Sequence, residues 1–110
     1  MAWRATHRYA RISERKARLV ADLIRGRHCD EALALLKFTH KRAAVMVTKV
    51  LKSAMAAANE DEAAMNRLYI TDARVDPGPI IKRFRAKDRG RAHPIQKRTS
   101  HITVAVDERG

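Results

Sequence analysis

The chain has little from which to build a redox, metal or catalytic centre. A single cysteine, Cys29, excludes an internal disulfide framework and any multi-cysteine zinc site, and it fits a reduced, cytosolic setting. The five histidines, His7, His28, His40, His93 and His101, show no metal-ligand spacing. His28-Cys29 is a lone pair in a predicted interhelix loop, so no metal and no cofactor are expected. There is no nucleophile–base constellation, no HExxH and no glycine-rich phosphate loop, which argues against an enzyme and against a small-molecule substrate. Aromatics are confined to Trp3, Tyr9, Phe38, Tyr69 and Phe84, too few for a base-stacking platform. No run approaches the roughly 18 apolar residues of a membrane span, and there is no apolar block of a secretory signal. A membrane partner is not expected.

What the chain has is positive charge. Lys and Arg number 24 against 12 Asp and Glu, a net charge of +12 over 110 residues. Such a field favours a polyanion. Apolar content of 45% is ordinary for a folded protein, and the length suits one domain, residues 1–110.

Local patterns predict an α+β body. Trp3–Ile12 reads as a strand with Arg4 and Arg8 on one face and Trp3, Ala5 and Tyr9 on the other. Ser13 as N-cap, Glu14 at the positive end and Gly26 at the stop frame a helix over Glu14–Arg25, with Ala17, Val20, Leu23 and Ile24 at helical spacing. Asp30 is expected to cap a short helix, Glu31–Lys37, burying Leu33, Leu35 or Leu36, and Thr39 to cap the next. That third helix, roughly 40–59, carries a stripe of Ala44, Val47, Leu51, Ala54 and Ala58. The acids Glu60, Asp61 and Glu62 follow it. Two strands come next, Leu68–Val75 and Thr99–Val106, the first with a phase slip that predicts a bulge near Asp72. The expected fold is three helices on a small antiparallel three-stranded sheet, with a long protruding β-hairpin.

The segment between those strands is too long for an idle connection. Residues 78–98 hold Lys82, Arg83, Arg85, Lys87, Arg89, Arg91, Lys97 and Arg98 against one acid, Asp88. Eight crowded cations repel one another unless an anion neutralises them. With Asp88-Arg89-Gly90 as the turn, two extended arms of about ten residues reach roughly 30 Å beyond the body, at about 3.3 Å per residue. The chain thus divides into a body, 1–77 and 99–110, and a basic arm, 78–98. A second basic group, Arg4, Arg8, Arg11, Arg15, Lys16 and Arg18, is expected to let the body grip phosphates. Composition leaves two readings open: an RNA-binding structural protein, or a DNA-architectural protein that inserts a basic β-arm into the minor groove. The second calls for a Pro or apolar wedge at the arm tip, whereas Pro77, Pro79 and Pro94 lie lower on the arm.

Three segments together carry a family resemblance: Lys16-Ala-Arg-Leu-Val-Ala-Asp-Leu-Ile-Arg-Gly26, Val75-Asp-Pro-Gly-Pro79 and Lys97-Arg-Thr-Ser-His-Ile-Thr-Val104. In this order the chain resembles the bacterial large-subunit ribosomal protein L-twenty-two family from about Arg8 to Val106. The resemblance implies a cytoplasmic, ribosome-bound structural protein on 23S rRNA, with a hairpin that lines the peptide exit tunnel. It implies protein L-four as a neighbour at the tunnel constriction and the nascent peptide as a passing contact. The expected rRNA contacts are Arg4, Arg8, Arg11, Lys16, Arg18, Arg25 and Lys41 on the body. On the arm and its return they are Lys82, Arg83, Arg85, Lys87, Arg89, Arg91, His93, Lys97, Arg98, Thr99, Ser100 and His101. The tunnel-lining tip would comprise Lys82, Arg83, Phe84, Arg85, Ala86, Lys87, Asp88, Arg89, Gly90 and Arg91. Ala86 stands where the family often has Pro, and Asp88 where it usually has a small residue.

Overall fold

The computed structural model describes residues 2–87 and 91–109, and the side chains of 2–80 and 97–109. The expected turn at Asp88-Arg89-Gly90 lies outside the described residues. Strand β1 (Trp3–Ala10) leads into helices α1 (Glu14–Ile24), α2 (Cys29–Lys37) and α3 (Arg42–Glu60). A 3₁₀ turn over Met65–Arg67 enters β2 (Leu68–Pro77), followed by β3 (Ile81–Lys87), β4 (Arg91–Lys97) and β5 (Ser100–Glu108). The body is the α+β arrangement expected: an antiparallel sheet in the order β1-β5-β2, with helices α1 and α3 on one face.

Helix α1 begins where Ser13 Oγ accepts the Lys16 N–H at 3.5 Å, and Glu14 sits in its first turn. Its buried face is Ala17, Val20, Ala21 and Ile24; Leu23, expected inside, is 40% exposed. Helix α3 buries the full predicted stripe, with Ala43 and Val50 added. Helix α2 corrects the expected boundary. His28, not Asp30, is its N-cap, its ring accepting the Asp30 N–H, and Leu36 is the leucine that is fully inside. Thr39 does not cap α3 either: its hydroxyl donates back to Leu35 O at 2.8 Å, and the N-cap is Lys41.

The sheet follows its sequence pattern with two slips. Register shifts between Ile70 and Asp72, as predicted, so that Leu68, Ile70, Ala73 and Val75 all face the core. A second shift falls between His7 and Ala10, where Tyr9 takes φ +58°. That turns Tyr9 outward, 60% exposed, rather than leaving it on the face of Trp3 and Ala5. Ile102, Val104 and Val106 of the central strand complete the core.

Strands β3 and β4 form a separate two-stranded sheet, paired from Ile81–Lys97 to Lys87–Arg91. The radius of gyration is 17.0 Å, against about 13 Å for a compact chain of this length. The longest axis, 65 Å, reflects that projecting hairpin. No helix among the described residues is long and apolar enough to cross a membrane.

Candidate nucleic-acid interface

The root of the hairpin is built from short, mostly polar contacts. Gly78 N–H donates to Thr99 O at 2.9 Å, and Thr99 Oγ1 donates to Pro79 O at 2.6 Å. Ser100 Oγ donates to Ile12 O at 2.6 Å, tying β5 to the entrance of α1. Both residues are buried, and their hydroxyls are consumed inside the chain. The geometry therefore gives Thr99 and Ser100 the task of anchoring the hairpin.

Beside this root lies a groove of about 950 Å³. Arg11 and Lys16 come to it from the start of α1, Lys41 and Arg42 from the start of α3, and Lys97 and Arg98 from the end of the hairpin. Among the described residues no carboxylate lines it. The chain folds so that three sequence-distant basic pairs meet there. Arg42 escaped the sequence reading; the signal available was the acid-free Lys41-Arg42 start of a long helix.

That start is electrostatically unusual. Helices α1 and α2 place acids in their first turns, Glu14 in one and Asp30 and Glu31 in the other. Helix α3 has no acid in its first turn and no side-chain cap. Its positive dipole end stands beside two cations, which disfavours the helix by a few tenths to about 1 kcal/mol. An anion at this point would reverse the sign of the interaction.

A second basic surface is the outer face of the sheet. Arg4, Thr6, Arg8 and Tyr9 from β1 flank His101 and Thr103 of β5 and Arg74 and Asp76 of β2, around a hollow of about 410 Å³. His101 Nδ1 accepts the Tyr9 N–H at 3.2 Å, and the two rings meet edge to face. Arg74 lies 3.9 Å from both Asp72 and Asp76, so Arg4 and Arg8 supply most of the net charge here.

Two of the expected contacts also bond within the protein. Arg18 donates through Nε and Nη2 to Val75 O, at 3.2 and 3.1 Å, while also pairing with Glu14. Arg25 donates to Ala73 O and pairs with Asp22. Both arginines cover the outer edge of β2, which Gly26 and Arg27 continue by exchanging backbone bonds with Ile70. An open strand edge is thereby closed.

Lys82, Arg83, Phe84, Arg85, Ala86, Lys87, Arg91 and His93 take strand positions in the hairpin register, with Phe84 opposite Pro94 and Arg85 opposite His93. Their side chains lie outside the described set. Asp88, Arg89 and Gly90 lie outside the described residues altogether. The His28-Cys29 pair is not in a loop: Cys29 opens α2 and is buried, its thiol pushed up to about 11, first by burial and then by the Asp30 charge. The other nitrogen of His28, Nε2, bonds Asn66 O at 2.8 Å. No described cluster of His, Cys, Asp and Glu could hold a metal.

A basic α+β body with an acid-free cationic groove at the root of a projecting hairpin is that of a small structural protein that meets a polyanion. The chain belongs to the family described as Ribosomal protein L22p/L17e, which residues 5–107 match. It is 55% identical over 111 residues to the large ribosomal subunit protein uL22 of Thermoanaerobacter sp. (strain X514), covering 99% of each chain. It is 51% identical to the protein of that name from Clostridium novyi (strain NT), again over 99% of each. With that of Halothermothrix orenii (strain H 168) it shares 50% over 99% of this chain and 97% of the relative. Membership makes the chain a structural, non-enzymatic ribosome component and does not favour the DNA-architectural reading.

Proposed function

We propose that this protein, ribosome-bound in the bacterial cytoplasm, binds 23S rRNA through its root groove and outer sheet face while its arm lines the peptide exit tunnel. The body, 1–77 and 99–110, and the arm, 78–98, then act as one domain with two jobs. The body clamps RNA helices together by neutralising phosphates. The arm reaches inward to meet L-four at the tunnel constriction and, in passing, the nascent peptide. Lys82, Arg83 and Arg85 through Arg91 supply its charge.

The observation that carries this reading is the acid-free meeting of Arg11, Lys16, Lys41, Arg42, Lys97 and Arg98. Six cations in one groove repel one another, and a folded chain tolerates that where a ligand supplies the counter-charge. Arginine forks two donors onto a phosphate, lysine adds a point charge, and the α3 terminus adds N–H donors. Specificity comes from RNA shape, since side chains do not enter the A-form major groove.

The test is binding of the full-length protein to 23S rRNA across 50 to 200 mM salt. Each phosphate contact contributes about 0.7–0.9 to the slope of log affinity against log salt. Lys41→Ala with Arg42→Ala is expected to flatten the slope by roughly 1–2. An unchanged slope refutes the groove as an RNA contact. Sedimentation of the variant with large subunits through a moderate-salt wash checks the consequence for assembly.

A further inference from the structure

Helices α2 and α3 enclose a groove of a different kind, about 350 Å³, at the low end of ligand-pocket volumes. Its floor is Leu36 and Ala44, both buried, with Val45 beside them, and three exposed lysines, Lys37, Lys49 and Lys52, stand around it. The two threonines that also line it offer no polar floor. Thr39 Oγ1 donates to Leu35 O at 2.8 Å and Thr48 Oγ1 to Ala44 O at 2.7 Å, so both hydroxyl protons are spent on their own helices. Val45 is 61% exposed, and Phe38, directly after Lys37, is 75% exposed. An apolar floor with exposed large side chains beside it marks an interaction surface.

The chemistry here separates this groove from the one at the hairpin root. No arginine lines it, and its cations are lysines set around aliphatic surface. Phosphates would engage the lysines and leave the exposed side chain of Val45 against water. A protein segment carrying an apolar anchor flanked by carboxylates would satisfy both parts, covering Val45 while Asp or Glu meets the lysines. No carboxylate of this chain lines the groove among the described residues.

We propose that the α2–α3 groove docks an acidic segment of another protein, which inserts an apolar side chain over Val45 and pairs its carboxylates with Lys37, Lys49 and Lys52. This surface is separate from the RNA reading and does not rest on it.

The test places a benzoylphenylalanine photo-cross-linker at Val45 of the full-length protein in growing cells, with mass-spectrometric identification of the product. The expected result is a cross-link to a protein peptide in which an apolar residue lies beside two or more acids. Its yield should fall at least about fivefold when Lys49→Glu and Lys52→Glu are added, roughly what two solvent-screened ion pairs supply. The melting temperature of the charge-reversed protein should match the parent, since both lysines are exposed. Cross-linking to RNA, to a basic or neutral segment, or to nothing overturns the proposal, as does a yield indifferent to charge reversal.

Discussion

Gly78→Ala probes the joint between body and hairpin. A β-carbon at Gly78 would lie 2.5 Å from Thr99 Oγ1 and 3.3 Å from both the carbonyl carbon and the oxygen of Thr99. The first distance is far inside van der Waals contact, and the hydroxyl is not able to swing away without cost, because it donates to Pro79 O. The new methyl therefore displaces the Thr99 hydroxyl and leaves Pro79 O without that donor. A lost hydrogen bond of this kind costs about 1–2 kcal/mol. That should lower the melting temperature by roughly 4–15 °C for a domain of this size. Thr99→Ala alone removes the same bond, at about 1 kcal/mol. In the double variant the clash with the hydroxyl is gone, so the second substitution should add little, and the coupling should reach about 1 kcal/mol. Urea unfolding of the four proteins measures it. Strict additivity, within about 0.5 kcal/mol, would refute the claim that Gly78 is needed for the close approach of Thr99.

Arginines that brace the fold should be separable by experiment from those that bind RNA. Arg18→Ala and Arg25→Ala should each destabilise the body by about 1 kcal/mol, through lost bonds to Val75 O and Ala73 O, while leaving the salt slope of rRNA binding unchanged. A flattened slope would return them to the RNA face. For the arm, replacing Lys82, Arg83, Arg85 and Arg91 with Ala should preserve the urea midpoint of the body while weakening incorporation into the large subunit. Loss of the body fold would contradict the division of labour. The Cys29 thiol rises from its ordinary 9.0 to about 11 in the folded chain, so folding favours the neutral form. Its contribution is intact below pH 9 and lost as pH climbs toward 11, by up to roughly 2–3 kcal/mol. Cys29→Ser should flatten stability across that window; an unchanged alkaline limb would place its cause elsewhere.

Much of the body was legible because its signals are local. The α3 stripe, the Ser13 cap and the phase slip before Asp72 each lie within a few neighbouring residues, and the structure has all three. Charge was equally plain, since the excess of 24 cations over 12 acids needs no fold to be counted. The slip at Tyr9 was not legible. Alternation through β1 continues in the sequence, and the positive φ arises where the strand bends to deliver Ala10 to the core. His28 as a cap was hidden by Asp30, the better capping residue two positions later.

That the chain is basic, that its helices have apolar faces, and that a cationic arm interrupts a β-pair can all be read from the residues alone. These follow from composition and from periodicities spanning one or two turns. How each polar side chain is used within the fold depends on packing between distant segments. Arg18 and Arg25 meet carbonyls 57 and 48 residues away and are drawn onto a strand edge. Thr99 and Ser100 turn inward to Pro79 and Ile12, while Lys41 and Arg42 are brought to Arg11, Lys16, Lys97 and Arg98. A residue's type records which partners it can bind. Only packing brings one of them within hydrogen-bond reach.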